Sequence, residues 1–397
     1  MILATGCFAV SCLAAVSAAP TAREMVAALA ADAMRGRGTG SAELDSAGAL
    51  VQEWLGAAGA GPGADGSWRQ EFAGASGEPL FNVVGRIEGR GEEWIALGAH
   101  YDGLGVGLPG TDHAGEVFNG ADDNAAGVAA LVLAARRIAA AGELARSVVL
   151  VGFSGEESGL LGSRAFVASP PAPLERCRAM LNLDTVGRIE DGRVVVFGTA
   201  SAEEFPEILK GVNFAFGFDL AFHGEGLAAS DHTPFLESGI PALHFFSGAK
   251  PEYHGPGDDL ELLDLEGIDR LAEFVAETAV HLAAEETPLT FRPPAVERAV
   301  AAAPGTQKRR VSFGSIPDFA RESGGVLLSG VMPGSPAEEA GLAKGDVVIE
   351  LGGAVIDTID DFQAALVARQ PGDVVLVKYR RGDETLAVEV TLRERSR

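Results

Sequence analysis

Five side chains of the kinds that bind cations stand at telling places in this chain. His100 follows Ile95-Ala96-Leu97-Gly98-Ala99, Glu157 follows Val148–Phe153, and Asp184 follows Met180-Leu181-Asn182-Leu183. His254 lies in the loop after Leu243–Phe246, and Asp122, in Asn119-Gly120-Ala121-Asp122-Asp123-Asn124, opens a predicted helix near Gly127. Two imidazoles and three carboxylates make a nitrogen and oxygen donor set suited to Zn²⁺ and related divalent metals. Two cations about 3.5–4 Å apart need a bridging carboxylate and separate terminal ligands. Asp122 could bridge, with His100 and Asp184 on one cation and Glu157 and His254 on the other. Glu156 would then stay unligated as a general base. Taken alone, the adjacent Glu156 and Glu157 would read as a solvated loop; a cation beside Glu157 gives the pair a reason to lie at a strand mouth. Asp102, two residues after His100 on an extended segment, could hold the distal imidazole N–H. The Tyr253 phenol could donate a hydrogen bond to a developing oxyanion.

Such residues need a scaffold that gathers them. Apolar runs at 81–87, 94–97, 148–153, 179–183, 194–197 and 242–246 predict buried strands. Helical patterns at 127–141 and within 260–284 alternate with them, and residues 21–60 predict two amphipathic helices joined at Arg35-Gly36-Arg37-Gly38. Alternation of this kind predicts a three-layer α/β/α sandwich with a mostly parallel mixed sheet. In an open parallel sheet, ligands bind beyond the carboxyl ends of the strands. All five positions are therefore candidates for one cleft.

The texture changes near residue 287. We divide the chain into a signal segment (1–19), a catalytic domain (20–286), a linker (287–308) and a small β-rich domain (309–397). The last has a capped helix start at Ser335-Pro336-Ala337-Glu338, a strand at 347–351, a helix at 358–368 and a hairpin across Arg380-Arg381-Gly382-Asp383.

The 397 residues carry a net charge of −25. Residues 309–397 hold 11 Lys/Arg and 14 Asp/Glu, a net of −3, so −22 belongs to the rest. That excess disfavours nucleic acid and anionic membranes as partners. The N-terminal apolar run ends near Val16-Ser17-Ala18, resembles a signal-peptidase site and is too short to span a bilayer. Secretion or a periplasmic location is the expectation, with lipid anchoring at Cys12 the poorer alternative. Removal of the segment would leave Cys177 as the single cysteine, read as a buried thiol.

The motifs GAHYDGLG, NGADDNAAG, GEESGLLGS, LNLDTVG, SDHTPFLESGIPAL and YHGPGDDLE, in this order, resemble the co-catalytic zinc aminopeptidases of peptidase family M28 over roughly residues 21–285. The resemblance implies two zinc ions held by His100, Asp122, Glu157, Asp184 and His254, with Asp122 bridging. It also implies Glu156 as the base that moves a proton from a zinc-bridged water to the leaving amine, Tyr253 as oxyanion donor, and peptides cut at their N-terminus. Asp231 matches a position near that family's site without an assigned role, and the adjacent His232 is a further substrate-side or supporting candidate. The stretch GVLLSGVMPGSPAEEAGLAKGDVVIELGG is similar to bacterial PDZ domains, which add a peptide or protein C-terminus to a sheet edge. Phe313-Gly314-Ser315-Ile316 is the candidate carboxylate loop there, against a plain edge strand.

Competing readings stand beside these. A glutaminyl-cyclase-like transferase shares the fold but works with one zinc and carries an indole where Tyr253 stands. A carboxypeptidase is a variant of the lead reading, and a non-catalytic peptide-binding relative would have lost ligands. A serine hydrolase fits poorly, because Gly152-Phe153-Ser154-Gly155-Glu156 has Glu where the nucleophile elbow needs Gly. His113, His223, His244 and His281 read as structural, Asp123 as a helix N-cap, and Asp258 and Asp259 as solvated charges.

Overall fold

The computed structural model describes residues 20–109, 113–224, 230–284, 289–293, 310–317, 324–332, 334–382 and 384–394. Residues 1–19, read above as a signal segment, and most of residues 287–308, read as a linker, lie outside the described residues.

The first unit is built on strands buried along their whole length. Strand β4 (Trp94–His100) and strand β7 (Ser147–Phe153) have every residue buried, as a sheet covered on both faces requires. Alternate side chains take opposite sides: Ile95, Leu97, Val148 and Leu150 join one apolar cluster, whereas Trp94, Ala96, Val149 and Phe153 join another. The remaining strands are β1 (Gly61–Pro62), β2 (Arg69–Ala73), β3 (Pro79–Ile87), β8 (Cys177–Leu183), β9 (Arg193–Phe197), β10 (Asp219–His223) and β11 (Ala242–Phe246), with a small pair β5 (Gly105–Val106) and β6 (Val117–Phe118) outside the main sheet. The sheet order is β1-β3-β7-β4-β8-β11-β9-β10, with β2 also on β3. Strands β7, β4, β8 and β11 run parallel; β3 and β9 pair antiparallel at either side of that block.

Helices cover both faces. Helices α1 (Ala22–Leu29), α2 (Ala42–Ala57), α3 (Gly127–Ala140), α5 (Phe205–Asn213) and α7 (Leu265–Ala284) supply the larger cluster. Phe166 of α4 (Leu161–Ala168) and Phe235 of α6 (Thr233–Glu237) pack on the other side. The three-layer sandwich expected from the sequence is thus observed. Cys177 is a buried free thiol, and burial pushes it far above its ordinary value. Among the described residues no helix is long and apolar enough to cross a membrane.

The second unit has its own core around Phe313, Leu328, Val348, Phe362 and Val377. Its sheet runs β13 (Ser315–Pro317), β14 (Val326–Val331), β15 (Val347–Leu351), β17 (Val374–Arg381), β18 (Glu384–Thr391), with β16 (Ala354–Val355) on β15. Its helices span Pro336–Glu339 and Ile359–Val367, each capped by the preceding hydroxyl, Ser335 or Thr358. A separate pair joins β12 (Val311–Ser312) to β19 (Arg393–Glu394).

Candidate metal centre

The ends of β4, β7 and β8 deliver His100, the Glu156-Glu157 pair and Asp184 to one place, and the loop after β11 brings His254. Two donor groups result, His100-Asp123-Asp184 and Asp123-Glu157-His254, and they share Asp123. The His100 Nε2 atom lies 3.3 Å from Asp123 Oδ1 and 3.4 Å from Asp184 Oδ1. The His254 Nε2 atom lies 3.0 Å from Asp123 Oδ2 and 3.7 Å from Glu157 Oε2. Each carboxylate oxygen of Asp123 therefore faces a different imidazole, the arrangement a bridging ligand needs.

The shared carboxylate belongs to Asp123, where the sequence reading had put Asp122. The reason is the backbone of the turn before α3. Asp123 (φ −112, ψ 89) and Asn124 (φ −137, ψ 38) leave helical geometry, so Asp123 is no N-cap and neighbouring side chains diverge. Asp122 instead accepts a 2.6 Å hydrogen bond from the Gly187 amide, and burial beside Asp258 pushes its carboxyl well up. Asn124 Oδ1 accepts from the amides of Gly127 (3.1 Å) and Thr185 (3.3 Å), which locks the turn against the end of β8.

Asp102 also differs from its expected part. The distal Nδ1 of His100 faces the Asp102 carbonyl oxygen at 3.3 Å, and the nearer carboxylate oxygen stands off at 3.7 Å. The Asp102 carboxylate accepts instead from the amides of Glu156 (3.1 Å) and Glu157 (3.2 Å). It holds the backbone that carries the candidate base. Asp258, read as solvated, is buried and accepts from the amides of Asp122 (2.9 Å) and Asp123 (3.0 Å). Sequence reasoning missed this residue and Arg37. The signals were there, a second aspartate in GADDN and in GPGDD, but neither spacing nor composition ranks one neighbour above the other.

Glu156 belongs to neither donor group. Burial pushes its carboxyl well above the ordinary range, opposed by His100 and reinforced by Glu157, Asp184 and Asp231. Burial likewise raises Glu157, to about 8. Burial opposes protonation of His254, but Glu157 and Asp123 outweigh it and lift the imidazole to about 9. Two imidazoles driven to hold protons beside mutually repelling carboxylates mark a site whose negative charge calls for cations. The donor types, their pairing and this charge excess all fit divalent metal ions. The ring of Tyr253 stacks on His254 at 3.9 Å, and burial keeps its phenol protonated as a donor. His254 adopts a left-handed backbone (φ 57), a strain of about 1–3 kcal/mol that recurs at functional sites.

The other candidates lie behind the centre. Asp231 is buried, and burial pushes its carboxyl up to about 7 against the pull of His100 and Ser163. His232 is buried and stacks on His244 (4.8 Å, 3° between planes), and His244 takes a 3.1 Å contact from the Asn182 amide. In the C-terminal unit the Phe313 side chain is core, edge-on to Phe362 at 5.3 Å, so any carboxylate contact there belongs to the backbone. Gly314 takes φ 77, where an added Cβ would lie 2.0 Å from Ser335 Cβ. Ser315 and Ile316 begin β13, which among the described residues pairs with β14 alone.

Comparison with known proteins bears on this centre. Residues 82–279 match the model of peptidase family M28, and residues 316–392 match that of the PDZ domain. Leucine aminopeptidase 1 of Trichophyton rubrum is 28% identical over 234 residues, 55% of this chain and 60% of that protein. A probable leucine aminopeptidase of Arthroderma benhamiae is 29% identical over 210 residues, 50% of this chain and 56% of that protein. The chain therefore spans less than two thirds of the length of these curated relatives. Among solved structures, the LapA aminopeptidase of Legionella pneumophila superposes with a TM-score of 0.54 at 19% identity, covering 66% of this chain and 72% of that one. A zinc aminopeptidase of Bacillus subtilis gives 0.54 at 16%, covering 69% and 99%. Glutaminyl cyclase of Porphyromonas gingivalis gives 0.55 at 21%, covering 67% and 98%. At such identities the likeness speaks for the fold, which aminopeptidases and a cyclase share. Residues 82–279 thus form a peptidase family M28 domain, and residues 316–392 a PDZ domain.

Proposed function

We propose that the protein is a metal-dependent aminopeptidase, removing residues from the N-terminus of peptides with two zinc ions bound. The observation that carries this reading is the sharing of Asp123 between two donor groups, with Glu156 left outside both. When bound, the cations polarise the scissile carbonyl and make the attacking water more acidic. Glu156 takes the proton from that water and gives it to the leaving amine. Asp102 fixes the Glu156 and Glu157 amides, so the base is held by its own main chain. The Tyr253 phenol donates to the oxyanion. A transferase of the cyclase type is disfavoured by Tyr253 in place of an indole and by the completeness of both donor groups.

The test combines metal analysis with hydrolysis of free and N-blocked peptides. About two zinc ions per chain and release of free amino acids from unblocked peptides alone are expected. Pyroglutamate as product would overturn the assignment. Glu156→Gln is expected to lower turnover by roughly 10²–10⁴-fold while retaining the metal. For the C-terminal unit we propose a peptide with a free carboxylate laid along β13, a reading supported by the edge position of that strand.

A further inference from the structure

We propose that Arg37 and Asp258 are positioning residues that clamp the turn carrying Asp123, Arg37 through its carbonyls and Asp258 through its amides, and so set how tightly the centre holds cations. The inference rests on the metal reading above.

Arg37 is fully buried in a 3₁₀ segment at 32–37 and, among the described residues, makes no ion-pair contact. Its guanidinium donates to four main-chain carbonyls: Nε to Tyr101 (3.0 Å), Nη1 to Leu29 (2.6 Å) and Asn119 (2.8 Å), and Nη2 to Gly120 (3.0 Å). Tyr101 follows the ligand His100, while Asn119 and Gly120 lead into the Asp123 turn. One planar group thus ties the two segments together. Burial lowers its affinity for a proton to about 10, and the carboxylates of Asp102, Asp123, Asp258 and Glu157 act against that loss. A buried cation surrounded by the centre's carboxylates, yet bonded to carbonyls, offsets their repulsion without occupying a ligand position.

Asp258 completes the clamp. Its two oxygens accept one amide each, Asp122 and Asp123, and its own carbonyl accepts the Ala121 amide at 3.1 Å. The turn leaves no slack: Gly120 takes φ 60, and a Cβ there would lie 2.3 Å from the Asp123 carbonyl. Each of these three Asp258 bonds ends on backbone within two residues of Asp123. Groups that orient a ligand in this way are worth roughly 10–100-fold in metal affinity.

The test uses the full chain freed of metal, titrated with zinc by calorimetry, with Asp258→Asn and Arg37→Lys beside the unaltered protein. An amide at 258 turns its NH₂ against one of the two backbone N–H groups, and a lysine at 37 cannot reach four carbonyls. Both variants are expected to bind zinc roughly 10–100-fold more weakly and to shift the visible absorption bands of the cobalt-loaded protein, which report ligand geometry rather than stability. Unchanged affinity and unchanged bands in the folded variants overturn the clamp. Should Arg37→Lys not fold, Asp258→Asn decides alone. Failure of the unaltered protein to bind any cation would sink the proposed function itself, an outcome separate from tight binding that the variants leave untouched.

Discussion

Two adjacent aspartates differ here only in what the main chain does with them. Asp123 faces both imidazoles, and Asp122 caps the Gly187 amide. Asp123→Asn is therefore expected to weaken zinc binding by more than the roughly 10–100-fold of a residue behind a ligand. Asp122→Asn, which keeps an oxygen for Gly187, is expected to leave the metal content at its original value. Metal analysis after dialysis against graded chelator distinguishes the two. The types and order of the candidate donors were legible in the sequence because a cation demands particular donors at strand ends. Which aspartate faces both imidazoles was not, since it depends on two non-helical residues in the turn, Asp123 and Asn124. Asp102 stays beside His100, a carboxylate oxygen 3.7 Å from Nδ1, but a period of two could not announce its bonds to two amides of the next strand's loop.

At the level of elements, the strands that carry the centre are those the sequence announced. Strands β4, β7 and β8 are nearly unbroken apolar runs because both of their faces are covered. Strands β2 and β10 were not foreseen. Their partly exposed residues and edge positions leave no strong pattern. Helices α4 and α6 were missed as well, being short and placed beside functional motifs. The inner strands should be the most sensitive to loss of packing. Phe153 ends β7 one residue before the Ser154-Gly155-Glu156 loop, edge-on to Phe166 at 6.0 Å and Phe235 at 6.4 Å. Phe153→Ala is expected to destabilise the first unit by about 3–5 kcal/mol, read from the midpoint of its denaturant transition.

Across the whole molecule, charge couples distant parts of the chain. Glu93, just before β4, bonds Arg178 of β8 and also Arg146 ahead of β7. The Arg178 hydrogen bond, with that of Arg146, holds its carboxyl down at about 2 from an ordinary 4.5. A depressed carboxylate stabilises the fold above its unfolded value and loses that contribution as pH falls toward the folded one. Glu93→Gln should thus be less stable than the original at neutral pH, with the gap closing as the pH drops from about 4.5 toward about 2. Thermal unfolding followed across that window checks the sign. The same long reach has a second effect. His100 and His254 sit far apart in sequence, yet both face Asp123, so an ion seated between them stitches remote stretches of polypeptide into one knot. Filling the centre then becomes part of what keeps the first unit folded. Chelation should bring its melting down while the transition of the separate C-terminal core stays where it was.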